Sequence, residues 1–232
     1  MSLTLSTPET PSLAEIKILE DAPPDIIAQV ERCCRWSEYD EGDVVIDQKD
    51  VGTSVFFIAK GRLRVIDFMV EDQEVSLADL EPGDTFGELS AVDLKVRSAR
   101  VTALEPTVLA EVNSDDFHKL LLDCPTVTFS LLKRFANIIR NMTSRVTAMS
   151  TLSPHQRIYN ELLRLAEPDT TVDGVWIISN VPNHVELSSW VGVDKQTVAD
   201  AIGNLARSRV VERKHRNLII RDHARLQRLV SQ

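Results

Sequence analysis

Residues 86–101 read FGELSAVDLKVRSARV, and the reading of this stretch decides how the rest of the chain is understood. It follows a turn signal, Glu81-Pro82-Gly83-Asp84, and leads into a strand-like run over 101–112. Gly87 permits close approach of a ligand to the backbone and angles that other residues resist. A short helical turn opening at Glu88 would aim its free N–H groups, through Leu89 and Ser90, at an anion. Arg97 and Ser98 then add a charged fork and a hydroxyl for the same anion. Ionised Glu88 only accepts hydrogen bonds, so it suits ligand hydroxyls rather than a phosphate. Together these residues predict a pocket holding a phosphate and a sugar side by side. The plainer alternative is a glycine turn followed by a solvated arginine, and the surrounding chain has to decide between them.

Upstream, residues 13–34 carry apolar side chains at helical spacing, interrupted by Pro23-Pro24, which predicts a helix starting near Pro24. From Trp36 the pattern becomes short β-rich runs at 39–46, 52–58, 60–66, 74–80 and 99–112, punctuated by Gly42, Gly52 and Gly61. Strands this short and this closely spaced indicate a sandwich or roll. Ser114 then reads as the N-cap of a helix with an acidic first turn. Cys124-Pro125 ends that helix, and a long one restarts with Pro125 in first position. Along it Leu132, Phe135, Ile139, Met142, Val146 and Met149 alternate spacings of three and four, a heptad seam. Polar neighbours such as Lys133, Asn137 and Arg140 favour a parallel dimer seam, with a buried core helix as the competing reading.

Beyond Ser153-Pro154 the sequence predicts a helix to Ala166, a turn over 168–174 and a strand over 175–178. Leu187, Trp190 and Val191, then Gly192-Val193, then Val198, Ile202 and Leu205 describe two helices joined by a tight turn, with Asp194 capping the second. Residues 210–211 and 218–220 flank a basic tip at 213–217, a hairpin wing. Lys195, Gln196 and Thr197 fall on the first turn of the second helix, the position from which such a pair reaches base edges or phosphates. Gln suits adenine, Lys suits guanine or phosphate, and Asp200 one turn on repels phosphate. His184, before the first helix, and His215, at the wing tip, could also touch phosphate, and Arg216 is a further candidate DNA contact. An ordinary helical pair within a bundle is the other reading of the segment.

The chain has 232 residues, room for one large or two modest domains. No apolar run approaches the roughly 18 residues of a membrane span, and residues 1–14 read as a polar leader rather than a secretory signal. Net charge is −9, but it is unevenly placed: residues 1–152 hold 15 basic against 26 acidic side chains, whereas 153–232 hold 11 against 9. A basic end on an acidic protein fits DNA better than the total suggests. Cys33, Cys34 and Cys124 have no CxxC spacing, which suits a reducing cytoplasm and packing roles. An iron–sulfur centre would need a fourth ligand. His118, His155, His184, His215 and His223 form neither a catalytic nor a metal-binding spacing, and are expected as surface or capping residues, so no enzyme or metal site is predicted.

From about Leu13 onward the chain resembles the CRP/FNR (catabolite activator protein) superfamily of bacterial transcriptional regulators. The resemblance rests on Gly87-Glu88 placed ten residues before Arg97-Ser98, on Tyr39, Gly42, Ile46, Phe57-Ile58 and Gly61 in a β-roll pattern, and on the heptad helix and winged helix-turn-helix in that order. It implies an α+β fold with a cyclic-nucleotide-binding β-roll over 1–124, a dimerisation helix over 125–152 and a winged helix-turn-helix over 153–232. It implies a non-covalent cyclic nucleotide effector, cyclic AMP or cyclic GMP, with Glu88 on the ribose 2′-hydroxyl and Arg97 with Ser98 on the cyclic phosphate. Thr143 would reach the nucleobase, while Met142 departs from the family pattern and Arg100 adds a further charge beside the pocket. Partners implied are a palindromic double-stranded operator, a second copy of the chain and RNA polymerase, in the cytoplasm. Lys195-Gln196 and Asp200 replace the family's frequent Arg-Glu and Arg, which removes a guanine contact. Two other readings stay open: a ligand-independent regulator with a vestigial pocket, and a nucleotide-binding module controlling a protein partner.

Overall fold

A computed structural model describes residues 12–68, 74–170, 172 and 174–231, so most of the expected leader lies outside the described residues. The chain divides into two compact units, Met1–Ala136 and Asn137–Gln232. No helix among the described residues is long and apolar enough to cross a membrane.

The first unit is a roll of two four-stranded antiparallel sheets. One runs β1 (Arg35–Tyr39), β8 (Thr107–Val112), β3 (Val55–Lys60), β6 (Thr85–Phe86); the other runs β2 (Val44–Ile46), β7 (Arg100–Ala103), β4 (Leu63–Phe68), β5 (Glu74–Leu80). Val55, Phe56, Phe57 and Ile58 are all buried, so the first four residues of β3 have no wet face, and only its end at Lys60 is exposed. Phe56 and Ile58 join Leu63, Leu80, Phe86, Val101 and Leu109 in one core. Val55 and Phe57 join a second core with Leu13, Ile16 and Leu19 of the N-terminal segment. That core also takes Val30 of α1 (Pro24–Cys33), Phe117 and Leu120 of α3 (Ser114–Asp123), and Val127 and Leu131 of α4 (Pro125–Thr151). Alternate side chains of a strand point to opposite faces, so a continuous apolar run is what a strand packed on both faces requires.

The second unit holds the rest of α4, then α5 (Pro154–Leu165), α6 (His184–Val191), α7 (Lys195–Arg207) and α8 (His223–Ser231). A small sheet accompanies them in the order β11 (Val211–Lys214), β12 (Asn217–Ile220), β10 (Trp176–Ile178), β9 (Glu167–Pro168). Reciprocal capping boxes, Ser153 with Gln156 and Asn183 with Glu186, start α5 and α6. Gly192 closes α6 at φ +62, and Asp194 caps α7 by accepting from the Thr197 N–H at 2.9 Å. Ile158, Leu162, Leu187, Val198, Leu205, Ile220 and Leu226 fill one core.

Several expectations need correction. The 99–112 run is two strands, because Leu104-Glu105-Pro106 turns the chain between β7 and β8. The strand after the 168–174 turn starts at Trp176, and β9 and α8 had no counterpart in the sequence reading. Cys124 is buried and Cys34 half-buried, its thiol pushed up to about 12 by burial, with Cys33 and Glu31 adding to the shift, but Cys33 is exposed. His118, His155, His184 and His223 are half-buried rather than surface residues, and only His215 of the five is exposed: His118 Nε2 lies 2.6 Å from the Ala91 carbonyl, and His223 stacks on Trp176 at 4.1 Å. The cap of α3 is Asn113, whose side chain accepts from the Asp116 N–H at 2.9 Å, while Ser114 is already the first helical residue. Asn113→Ala should therefore lower unfolding stability by about 1 kcal/mol in urea titration, with Ser114→Ala near neutral; the reverse order would return the cap to Ser114.

Candidate functional site

Residue Phe86 of β6 sits opposite Phe56 of β3, and the two rings stack with centroids 5.0 Å apart and planes 10° from parallel. The stack delivers Gly87, at φ +83, to the N-terminus of α2 (Glu88–Asp93). A Cβ on Gly87 would lie 2.7 Å from both the Arg97 Nη1 and the Ser54 carbonyl oxygen, so the position accepts glycine alone. Arg97 is 3% exposed. Its Nη1 donates to the Gly87 carbonyl at 3.0 Å and its Nη2 to the Ser54 carbonyl at 2.8 Å, with Cζ 5.9 Å from the Phe56 ring centre. The Arg97 N–H donates to the Asp50 carbonyl at 2.8 Å and its own carbonyl accepts from Lys49 at 3.0 Å. Only Nε is left without a hydrogen bond. Burial pulls the guanidinium below its ordinary pKa, while Glu111, Asp50 and Glu88 act in the opposite direction.

Glu88 is 6% exposed. Burial raises its pKa above the ordinary carboxylate value, and Arg134 and Arg97 oppose the rise. Arg134, from the first turns of α4, places Nε 3.9 Å from Glu88 Oε1 while its Nη2 donates to the Thr85 carbonyl at 2.7 Å. An acceptor-only and a donor-only side chain are thus both buried around one glycine. That arrangement can hold a ligand's hydroxyls and its anionic group separately.

The remaining expected residues are placed less uniformly. Ser90 is buried, Leu89 is half exposed, and Ser98 is exposed beside Arg97, its carbonyl taking a long bond from Gln48 Nε2 at 3.4 Å. Arg100 does not stand as a further loose charge: it is bidentate with Asp47 at 2.8 and 2.9 Å. Thr143 is exposed on the part of α4 that belongs to the second unit. Sequence reasoning missed Ser54, which acts only through its carbonyl and so leaves no side-chain signal. It also missed Arg134, one of several basic residues that looked like the wet side of α4.

In the second unit Lys195 and Gln196 are exposed on the first turn of α7, and Thr197 is half-buried with its hydroxyl turned back to Asp194. Arg216 is exposed at the tip of the β11–β12 wing and His184 is half-buried at the start of α6. The wing tip is tied to the entrance of α6: the Val181 N–H donates to the Arg216 carbonyl at 2.8 Å and the Asn180 N–H to Asn217 Oδ1 at 3.2 Å. Arg157 Nη1 donates to the Val191 and Gly192 carbonyls at 2.9 and 3.2 Å, closing the end of α6. Glu161, 2% exposed, lies between Arg145 at 2.9 Å and Arg164 at 2.7 Å, and Arg145 stacks over Trp190 at 5.4 Å. Its spacing gave a usable clue, since Glu161 follows buried Ile158 by three residues and falls on the apolar side of α5. Among the described residues no group of three or more His, Cys, Asp and Glu side chains is placed to hold a metal ion.

The profile of the cyclic nucleotide-binding domain matches residues 36–124, and that of the Crp-like helix-turn-helix domain matches residues 156–229. The cyclic AMP receptor protein of Thermus thermophilus is 28% identical over 191 residues, covering 82% of this chain and 86% of that protein. A CRP-like cAMP-activated global transcriptional regulator of Mycobacterium tuberculosis is 23% identical over 93% of this chain and 97% of its own. In fold, the chain is similar to a CooA mutant from Carboxydothermus hydrogenoformans, with a TM-score of 0.77 at 19% identity over 96% of each chain. A cyclic nucleotide-binding roll followed by a Crp-like helix-turn-helix, on a fold shared along almost its whole length, makes this chain a member of the CRP/FNR superfamily of transcriptional regulators.

Proposed function

We propose that the chain is a homodimeric, sequence-specific DNA-binding transcriptional regulator switched by a cyclic nucleotide, cyclic AMP before cyclic GMP. The observation that carries this reading is the burial of Glu88 and Arg97, at 6% and 3% exposure, around the left-handed Gly87. A cyclic phosphate is a stronger acceptor than the two neutral carbonyls now facing Arg97, so it would draw the guanidinium fork toward itself. Glu88 would accept from the ribose 2′-hydroxyl, and the N–H groups of Leu89 and Ser90, with the Ser98 hydroxyl, would complete the phosphate's shell. Thr143 would meet the base. The names of the Thermus and Mycobacterium relatives support cyclic AMP as the first ligand to test.

In this reading residues 1–124 sense, 125–152 dimerise and 153–232 bind DNA. Of the six seam residues, Leu132, Ile139, Met142, Val146 and Met149 are exposed on the single chain, as a seam between two copies requires, whereas Phe135 is half-buried against the core of the first unit. Two-fold symmetry then calls for palindromic half-sites about one helical turn apart. Lys195, Gln196 and Thr197 would enter the major groove, with His184 and Arg216 on phosphates. The protein would act in the cytoplasm without catalytic activity of its own, through contact with RNA polymerase. To switch, the nucleotide must bind the DNA-competent arrangement more tightly than the other. One observation favours the ligand-independent alternative, namely that both terminal nitrogens of Arg97 already have protein acceptors.

Calorimetry decides between them. Arg97→Ala should weaken cyclic AMP binding roughly a hundredfold or more, the loss of a charged bidentate contact, with the dimer intact; unchanged affinity for cyclic AMP and cyclic GMP would remove the pocket assignment. Glu88 offers a pH test. An acid whose folded pKa lies above its unfolded one carries a penalty that is absent below the unfolded value and complete above the folded one. Glu88→Gln should therefore melt higher than the parent at neutral pH, the gain fading as pH falls through the raised value. The same substitution should bind cyclic AMP roughly tenfold more weakly, a charged acceptor having become neutral. A variant no more stable at neutral pH would contradict the burial cost. Finally, Ile139→Asp, at a side chain 63% exposed on the single chain, should yield folded monomers in sedimentation velocity; persistent dimers would refute the seam.

A further inference from the structure

On α7, Asp200 follows Gln196 by one turn, and the two side chains share an exposed side of the helix. Gln196 Nε2 donates to Asp200 Oδ1 at 3.0 Å. A carboxamide has two N–H donors and one carbonyl acceptor. If the N–H anti to Oε1 is the one given to Asp200, the bond restrains the amide plane and leaves Oε1 and the syn N–H as an adjacent acceptor–donor pair. Adenine presents an N6 donor beside an N7 acceptor in the major groove, whereas guanine presents two acceptors, O6 and N7. The fixed amide complements adenine at both atoms and sets Oε1 against O6 of guanine.

We infer that Gln196 and Asp200 form an adenine-reading pair, in which Gln196 contacts the base and Asp200 is a positioning residue that fixes the carboxamide. The inference rests on the proposed role of α7 as the recognition helix. Asp200 also acts on sequence-independent binding: its charge opposes phosphate, which lowers affinity for unrelated duplex and widens the ratio between specific and non-specific sites. Lys195, exposed next to Gln196, supplies the attraction that Asp200 withholds.

Binding-site selection from a random duplex library tests the pair, using the full chain with cyclic AMP, with cyclic GMP and with neither. The parent should select an A·T pair at one position of each half-site, with discrimination over G·C of roughly tenfold to a hundredfold. Gln196→Ala should remove that preference. Asp200→Ala should reduce it several-fold while raising affinity for unrelated duplex, and Asp200→Asn, which keeps a carbonyl acceptor for Nε2, should retain it. An A·T preference that survives Gln196→Ala, or one that Asp200→Ala leaves at full strength, overturns the inference while leaving the regulator reading in place. Absence of salt-sensitive duplex binding under all three conditions would sink that reading, and the inference with it.

Discussion

A strand with no face left for water fixes the geometry of the first unit. Val55, Phe56, Phe57 and Ile58 are buried in succession, so helices must cover one side of β3 and the second sheet the other. Leaving any of these side chains exposed would forfeit about 1.5–3 kcal/mol, comparable to a large share of a domain's net stability. The proposed ligand cradle is built onto the same strand. Phe56 stacks on Phe86 and lies beneath the Arg97 guanidinium, and the residue preceding β3, Ser54, offers its carbonyl to Arg97. The position of the Gly87–Arg97 cluster therefore follows from a packing requirement.

Gly87 was legible in the sequence through its context, a turn before an acidic helix start with an Arg-Ser pair ten residues on, and in the structure a Cβ there has no space. The helix pair and wing were legible through caps and periodicity, since Asp194, Gly192 and the spacing of Leu187 to Leu205 are local signals. The inward turn of Arg97 was not legible. Its acceptors, Gly87 and Ser54, are main-chain carbonyls, and Ser54 lies forty-three positions away in the chain. Arg134 escaped notice for a related reason, because periodicity describes apolar stripes and says nothing of which cation is folded against a carboxylate. The cap of α3 shifted by one residue because Asn113 and Ser114 are both able caps, and only the backbone around them chooses.

In the second unit a buried charge plays a comparable organising part. Burial alone would raise the Glu161 carboxyl, yet Arg164 and Arg145 hold it below the ordinary carboxylate range. Such a group is weak evidence of net stability, since an apolar replacement of equal volume often serves as well. Its effect is directional. With Arg145 paired to Glu161 and stacked over Trp190, the end of α4 meets α5 and α6 in one rotational register. Sliding by a residue would strand a carboxylate in the core.

The tip of the wing is anchored through one backbone carbonyl and one side-chain amide. The backbone carbonyl of Arg216 and the side chain of Asn217 tie its tip to Val181 and Asn180, and the Arg216 side chain takes no part in that anchorage. The hairpin's anchorage at this point thus does not depend on the identity of the side chain at 216. A substitution at 216 would therefore change the charge at the tip while leaving both anchoring hydrogen bonds in place.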